Sequence, residues 1–123
     1  MTTILLSIKP KFVAKIFAGE KHFEFRKRIP KHSVDKLIIY SSSPVCEVMG
    51  EAEIEKVLVD TPENIWNKTK HQSGIDSKFF FEYFESKRVA YAYKLKNIKR
   101  YVQPRKLSDY GLKTAPQSFS YIK

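Results

Sequence analysis

Apolar positions along the chain switch between two periods, and the switches mark the elements. Residues 3–8 (TILLSI) are apolar at nearly every position and include β-branched residues, which predicts a buried strand. After Pro10, Phe12, Val13, Ile16 and Phe17 form a helical stripe, with Pro10 suited to the first turn and Gly19 to the position past the end. A helix over residues 10–18 follows. From His22 to Arg28 the period becomes two: His22, Glu24, Arg26 and Arg28 share one side, Phe23, Phe25 and Lys27 the other. This predicts a strand with Phe23 and Phe25 toward the core and Glu24 and Arg26 facing outward. Residues 34–41 predict a third strand, and residues 45–59 one long bent strand with Gly50 as a bulge or close-approach site.

Thr61-Pro62-Glu63 has the order of a helix start, with Thr61 as N-cap and Ile65 and Trp66 as anchors. Ser73-Gly74 breaks that helix. Asp76 or Ser77 caps another, which carries Phe79, Phe80, Tyr83 and Phe84; helical spacing favours the core for these four over a ligand-binding role. Residues 89–101 predict a last strand and residues 104–112 a turn or short helix. Residues 115–122 are too apolar for a free tail and should pack back on the domain. The order β-α-β-β-β-α-α-β predicts one α+β domain over residues 1–123. It would be a mostly antiparallel, barrel-like sheet of about five strands with flanking helices.

Charge adds a partner class. The net charge is +10, from 23 Lys and Arg against 13 Asp and Glu. That excess favours a polyanion, with solubility as the plainer explanation. It falls in two blocks. Residues 9–36 hold nine basic residues against Glu20, Glu24 and Asp35, and residues 87–113 hold nine against Asp109 alone. Tyr91, Tyr93, Tyr101 and Tyr110 interleave with the second block. That mixture suits single-stranded nucleic acid, although alternation also allows Tyr91 and Tyr93 to point inward.

The chemistry available is narrow. There is no phosphate-binding glycine loop, zinc-protease motif or nucleophile elbow. His22, His32 and His71 lack metal-site spacing, so neither metal nor cofactor is expected. Cys46 reads as an ordinary strand position and, being the lone cysteine, excludes an internal disulfide. The N-terminal apolar run is too short for a signal or a membrane span, which predicts a cytoplasmic protein without membrane attachment. The constellation of interest is Lys21, Glu24 and Arg26, within reach of one shared ligand. Lys9 stands where helix amides favour an anion, and Gln117, Ser118 and Tyr121 add neutral polar groups.

Ser7-Ile8-Lys9-Pro10, the stretch GEKHFEFR over residues 19–26, Tyr40-Ser41, Gly50-Glu51 and Ala115-Pro116-Gln117-Ser118-Phe119 together resemble an ASCH domain of the PUA-like superfamily. The resemblance implies a PUA-like barrel and a charged cleft that binds RNA or a nucleotide-like ligand, with roles in regulating translation, transcription or RNA metabolism. Carried over by position, Lys21, Glu24 and Arg26 would line the cleft, with Lys9, Tyr40 and Ser118 as additions; Arg28 and Gln117 complete the set of candidate binding residues. The same resemblance implies an alternative, a small metal-independent hydrolase. A ribonuclease would use Lys21, Tyr40 and Ser118, with Glu24 in acid–base work. A nucleoside amidohydrolase would use a Lys, a Thr and a Glu. Lys21 matches that Lys, but Glu24 and Ser73 stand at the other two positions.

Overall fold

The computed structural model describes all residues from Met1 to Lys123. The elements are β1 (Thr3–Ile8), α1 (Pro10–Phe17), β2 (Phe23–Arg26), β3 (Lys36–Ser41), β4 (Glu47–Asp60), α2 (Pro62–Thr69), α3 (Ser77–Tyr83), β5 (Ala90–Arg105) and β6 (Phe119–Ile122), with 3-10 turns at Lys70–Gln72 and Leu107–Tyr110. Local chemistry accounts for their ends. Thr61 Oγ1 accepts from Asn64 N at 3.2 Å and Asp76 Oδ1 from Phe79 N at 2.8 Å, as N-caps should. Gly19 leaves α1 at φ +79°, a left-handed position that glycine takes without cost. No helix is long and apolar enough to cross a membrane.

Six strands form one mixed sheet in the order β2-β5-β4-β3-β1-β6, curled into a half-barrel. Only β1 and β3 run parallel; every other neighbouring pair is antiparallel. The α+β, barrel-like expectation holds, with one strand more than expected. The C-terminal segment does pack back, as β6 paired to β1, with Thr3 opposite Ile122.

Both faces of the sheet's centre are covered. Ile4, Leu6, Ile8, Leu37 and Ile39 meet Val13 and Ile16 of α1 inside the curl. On the opposite face, Leu5, Ile38, Tyr40, Val48 and Tyr101 form a separate cluster. Burial on two sides explains why TILLSI is apolar at consecutive positions instead of alternate ones. A third cluster lies under α2 and α3, where Phe23, Phe25, Ile65, Phe80 and Phe84 pack. Gly50 is a close-approach site: a Cβ there would collide with the Lys99 carbonyl oxygen and the Phe17 ring.

Two local expectations fail, and the open choice for Tyr93 is decided inward. Cys46 is not in a strand; it sits exposed in the turn before β4 at φ +54°. Tyr93 and Tyr101 are core residues at 1% and 7% exposure, so β5 offers no row of free tyrosines. Glu24 does not face solvent, because the curl of the sheet carries its side of β2 inside.

Candidate nucleic-acid interface

β2 is an edge strand of four residues, paired only with β5. Its alternation works as the sequence implies for Phe23 and Phe25, which enter the cluster under α3. The other face meets β1 across the mouth of the half-barrel. Arg26 Nη2 spans that gap and donates to the Ser7 carbonyl oxygen at 2.9 Å. These two strands are not neighbours in the sheet, so this side chain joins strands that no backbone ladder joins.

A charged chain builds on this seam. Arg26 Nη2 donates to Glu24 Oε2 at 2.7 Å, and Lys21 Nζ lies 3.8 Å from Glu24 Oε1. Lys21 is 2% exposed and Glu24 6%. This is no solvated surface pair: two cations share one carboxylate in a setting where an unpaired charge would be expensive. Burial holds the Lys21 ammonium below the usual lysine range; Glu24 raises its affinity for the proton, while Arg26 and Lys15 lower it. Its ammonium lies 4.8 Å from the Phe25 ring centre and 5.3 Å from that of Phe12. Arg26 Nε is buried with no partner, a donor directed at no other group of the chain.

The loop that roofs the site is pinned by three donors to three successive carbonyls. His22 N donates to Gln72 O at 2.9 Å, Lys21 Nζ to Ser73 O at 2.9 Å and Lys15 Nζ to Gly74 O at 2.8 Å. Gly74 makes this fit possible: it sits at φ +71°, and a Cβ there would stand 2.6 Å from Lys21 Cβ. The Ser73 hydroxyl turns back on its own loop, to Lys70 O and Ile75 O, and only its carbonyl serves Lys21.

Between seam and roof lies a cleft of about 360 Å³, floored by Lys21, Glu24 and Arg26 and walled by Phe12, Phe79 and Tyr83. The helix α3 divides its aromatics. Phe80 and Phe84 are core at 0% and 2% exposure, while the half-buried Phe79 and Tyr83, one turn apart, line the cleft. Burial raises the Tyr83 phenol's pKa, with Arg26 opposing the rise and Glu24 adding to it.

Of the candidate residues, Lys9, Lys21, Glu24, Arg26 and Gln117 come together on this cleft. Arg28 is exposed beyond the end of β2. Tyr40 is 4% exposed within the cluster on the far face of the sheet. The exposed Ser118 does not line the cleft, although its carbonyl accepts from Ser7 N at 3.2 Å. Sequence reasoning did not assign Phe12, Phe79, Tyr83 or Ser42 to the site. The i, i+4 spacing of Phe79 and Tyr83 was the available signal, but the same spacing fits a core stripe.

A sequence profile for the ASCH domain matches residues 6–106. The chain is 34% identical over 122 residues to part of a Ureaplasma parvum serovar 3 protein described as ATP synthase subunit alpha, a match covering 98% of this chain and 15% of that one. It thus spans a small fraction of that relative's length. It is 30% identical over 94 residues to an ASCH domain-containing ribonuclease of Zymomonas mobilis, covering 76% of this chain and 64% of that protein. Its backbone superposes on the crystal structure of ASCH from Zymomonas mobilis with a TM-score of 0.89 at 25% identity, covering 98% of this chain and 87% of the other.

Proposed function

The chain belongs to the ASCH domain family, and we propose that it binds single-stranded RNA by admitting one unpaired nucleotide to the cleft beside β2. One observation carries this reading: the buried Lys21–Glu24–Arg26 chain opens on a cavity with aromatic walls. Aromatic faces stack on any base. Arg26 Nε and the Lys21 ammonium donate to carbonyl or phosphate oxygens, while the Glu24 carboxylate accepts from a base amino group. A flat basic surface would bind phosphate alone; a carboxylate between two cations offsets part of their attraction for bare phosphate and favours a ligand with donors as well as acceptors. Any role in translation, transcription or RNA metabolism follows from which RNA is held.

The test is a fluorescence titration of labelled single-stranded RNA over a salt series. Affinity should fall as salt rises, because bound phosphates release counterions. Lys21→Met and Arg26→Gln should each weaken binding by about ten- to a hundredfold, the range for a lost charge-assisted hydrogen bond. Phe79→Ala, which leaves the charges in place, should cost about tenfold or more through lost stacking. No binding by the wild-type protein at low salt would sink the proposal.

A second reading is RNA cleavage, favoured by the relative named a ribonuclease and by the lowered proton affinity of Lys21. The 2′-oxygen would attack the adjacent phosphorus, giving up its proton to Glu24. The bond from phosphorus to the 5′-oxygen would break, with Lys21 supplying that oxygen's proton. The products are a 2′,3′-cyclic phosphate and a 5′-hydroxyl. Unchanged RNA ends after prolonged incubation with wild-type protein would remove this reading and leave the first standing.

A further inference from the structure

Outside the buried chain, the cleft's rim shows an arrangement of which only Lys9 is among the candidate residues. Phe79 and Tyr83 stand one helical turn apart on α3, and exposed lysines lie against both rings. Lys11 Nζ is 5.2 Å and Lys9 Nζ 5.7 Å from the Phe79 ring centre. At the other end, Lys27 Nζ is 4.6 Å from the Tyr83 ring centre. The lysines come from two segments, the start of α1 and the end of β2, so they reach α3 from separate directions. Lys9, Lys11 and Lys27 are all exposed, while both rings are half-buried and line the cleft.

We infer that these lysines form two phosphate subsites flanking the base cleft, so that the ligand is a single strand running along α3 from Lys9 and Lys11 to Lys27. This rests on the cleft reading above. An exposed cation–π contact is worth only about 0.5–1 kcal/mol. It keeps each ammonium near the rim, yet releases it readily to a phosphate oxygen, which offers full opposite charge. The two rings remain available to the base. The separation of the subsites by the Phe79–Tyr83 edge demands a phosphate on each side of the inserted nucleotide. A duplex cannot satisfy that demand, because its base edges are paired and its grooves hold the bases away from an enclosed cavity.

The probes are 5′-mononucleotides, dinucleotides, single-stranded hexanucleotides of each base and a blunt RNA duplex. Affinity should climb from mononucleotide to dinucleotide to hexanucleotide, with the duplex weakest. Lys11→Gln and Lys27→Gln should each weaken hexanucleotide binding several-fold and flatten the plot of log affinity against log salt by about 0.7, the slope of one single-strand phosphate contact. Lys96→Gln, an exposed lysine outside the cleft, is the comparison. If hexanucleotides bind but Lys11→Gln and Lys27→Gln behave as Lys96→Gln does, the subsites are wrong and the cleft reading survives. Duplex binding as tight as single-strand binding, or equal competition by polyglutamate, also overturns them. Failure of every RNA probe overturns the cleft reading with them.

Discussion

Two stretches of this chain have nearly the same composition and opposite fates. Residues 9–36 and residues 87–113 each hold nine basic residues among aromatic ones. In the first stretch, Lys21 and Arg26 converge on one carboxylate inside a cleft, and Lys9, Lys11 and Lys27 gather at its rim. In the second, the aromatics go inward and the charges disperse. Tyr93 is core; Tyr101 is buried and donates to Glu51 at 2.8 Å; Arg105 stacks at 3.8 Å on Tyr101; Lys94 pairs with Glu55 at 3.1 Å. What separates them is topology. The second stretch is mostly one long strand laddered along its length to β4, with β2 beside Tyr91–Lys94, so its side chains are shared out along a ladder. The first crosses from β1 through α1 to an edge strand and closes a seam with side chains alone. Composition marks a chain as basic, but closure decides where basicity becomes a site.

The largest contrast should come from removing one carboxylate in each stretch's network. Glu24→Gln leaves Lys21 and Arg26 buried without a counter-charge and should cost about 3–5 kcal/mol in urea unfolding. Glu55→Gln, whose pair with Lys94 is partly exposed, should change stability by less than about 1 kcal/mol. Equal losses would mean that the seam is no more buried in solution than the ladder.

Glycine substitutions should give the next contrast. Gly74 and Gly111 share a left-handed backbone, at φ +71° and +76°, but a Cβ at Gly74 meets Lys21 whereas at Gly111 it meets nothing within 4 Å. Gly111→Ala should cost about 1 kcal/mol for the backbone alone. Gly74→Ala adds the collision and should cost about 3 kcal/mol, read as a drop in Tm. Similar costs would show the roof loop yielding without strain.

The smallest effects are in pH. Lys21 has its pKa lowered in the fold, so between that value and 10.5 the unfolded chain holds the extra proton; stability relative to Lys21→Met should rise with pH across that window. Tyr93 behaves oppositely. Burial pushes its phenol up to about 12 from 10.0, so the folded chain keeps the proton, and stability relative to Tyr93→Phe should fall above pH 10. Parallel denaturation curves against pH check both signs, and a shared sign would break the distinction between cleft and core.

Most elements were legible because their signals are local. Thr61 and Asp76 announce helix starts by capping, and Phe23 and Phe25 take the side that alternation assigns. The ASCH pattern placed Lys21, Glu24 and Arg26 together, and they are. The depth of the site was not legible. Glu24 looks solvent-facing on a strand diagram, and only the curl that brings Ser7 opposite Arg26 buries it. Phe79 and Tyr83 fit a core stripe, and nothing local says that their side of α3 lines a cleft beside a loop pinned by Lys15, Lys21 and His22. Cys46 was misread because Val45-Cys46-Glu47-Val48 alternates like a strand, while the turn it occupies is set by a backbone angle that the pattern does not encode.

The pairing of Thr3 with Ile122 has a consequence for where such a domain can live. Neighbouring strands lie about 5 Å apart, and β1 and β6 run in opposite directions. The point of entry and the point of exit are therefore side by side on one border of the sheet. A cassette with that plug can be spliced into the surface loop of an unrelated host without prising the loop's two ends apart. It can equally hang from either terminus, with β1 and β6 held together by their own ladder.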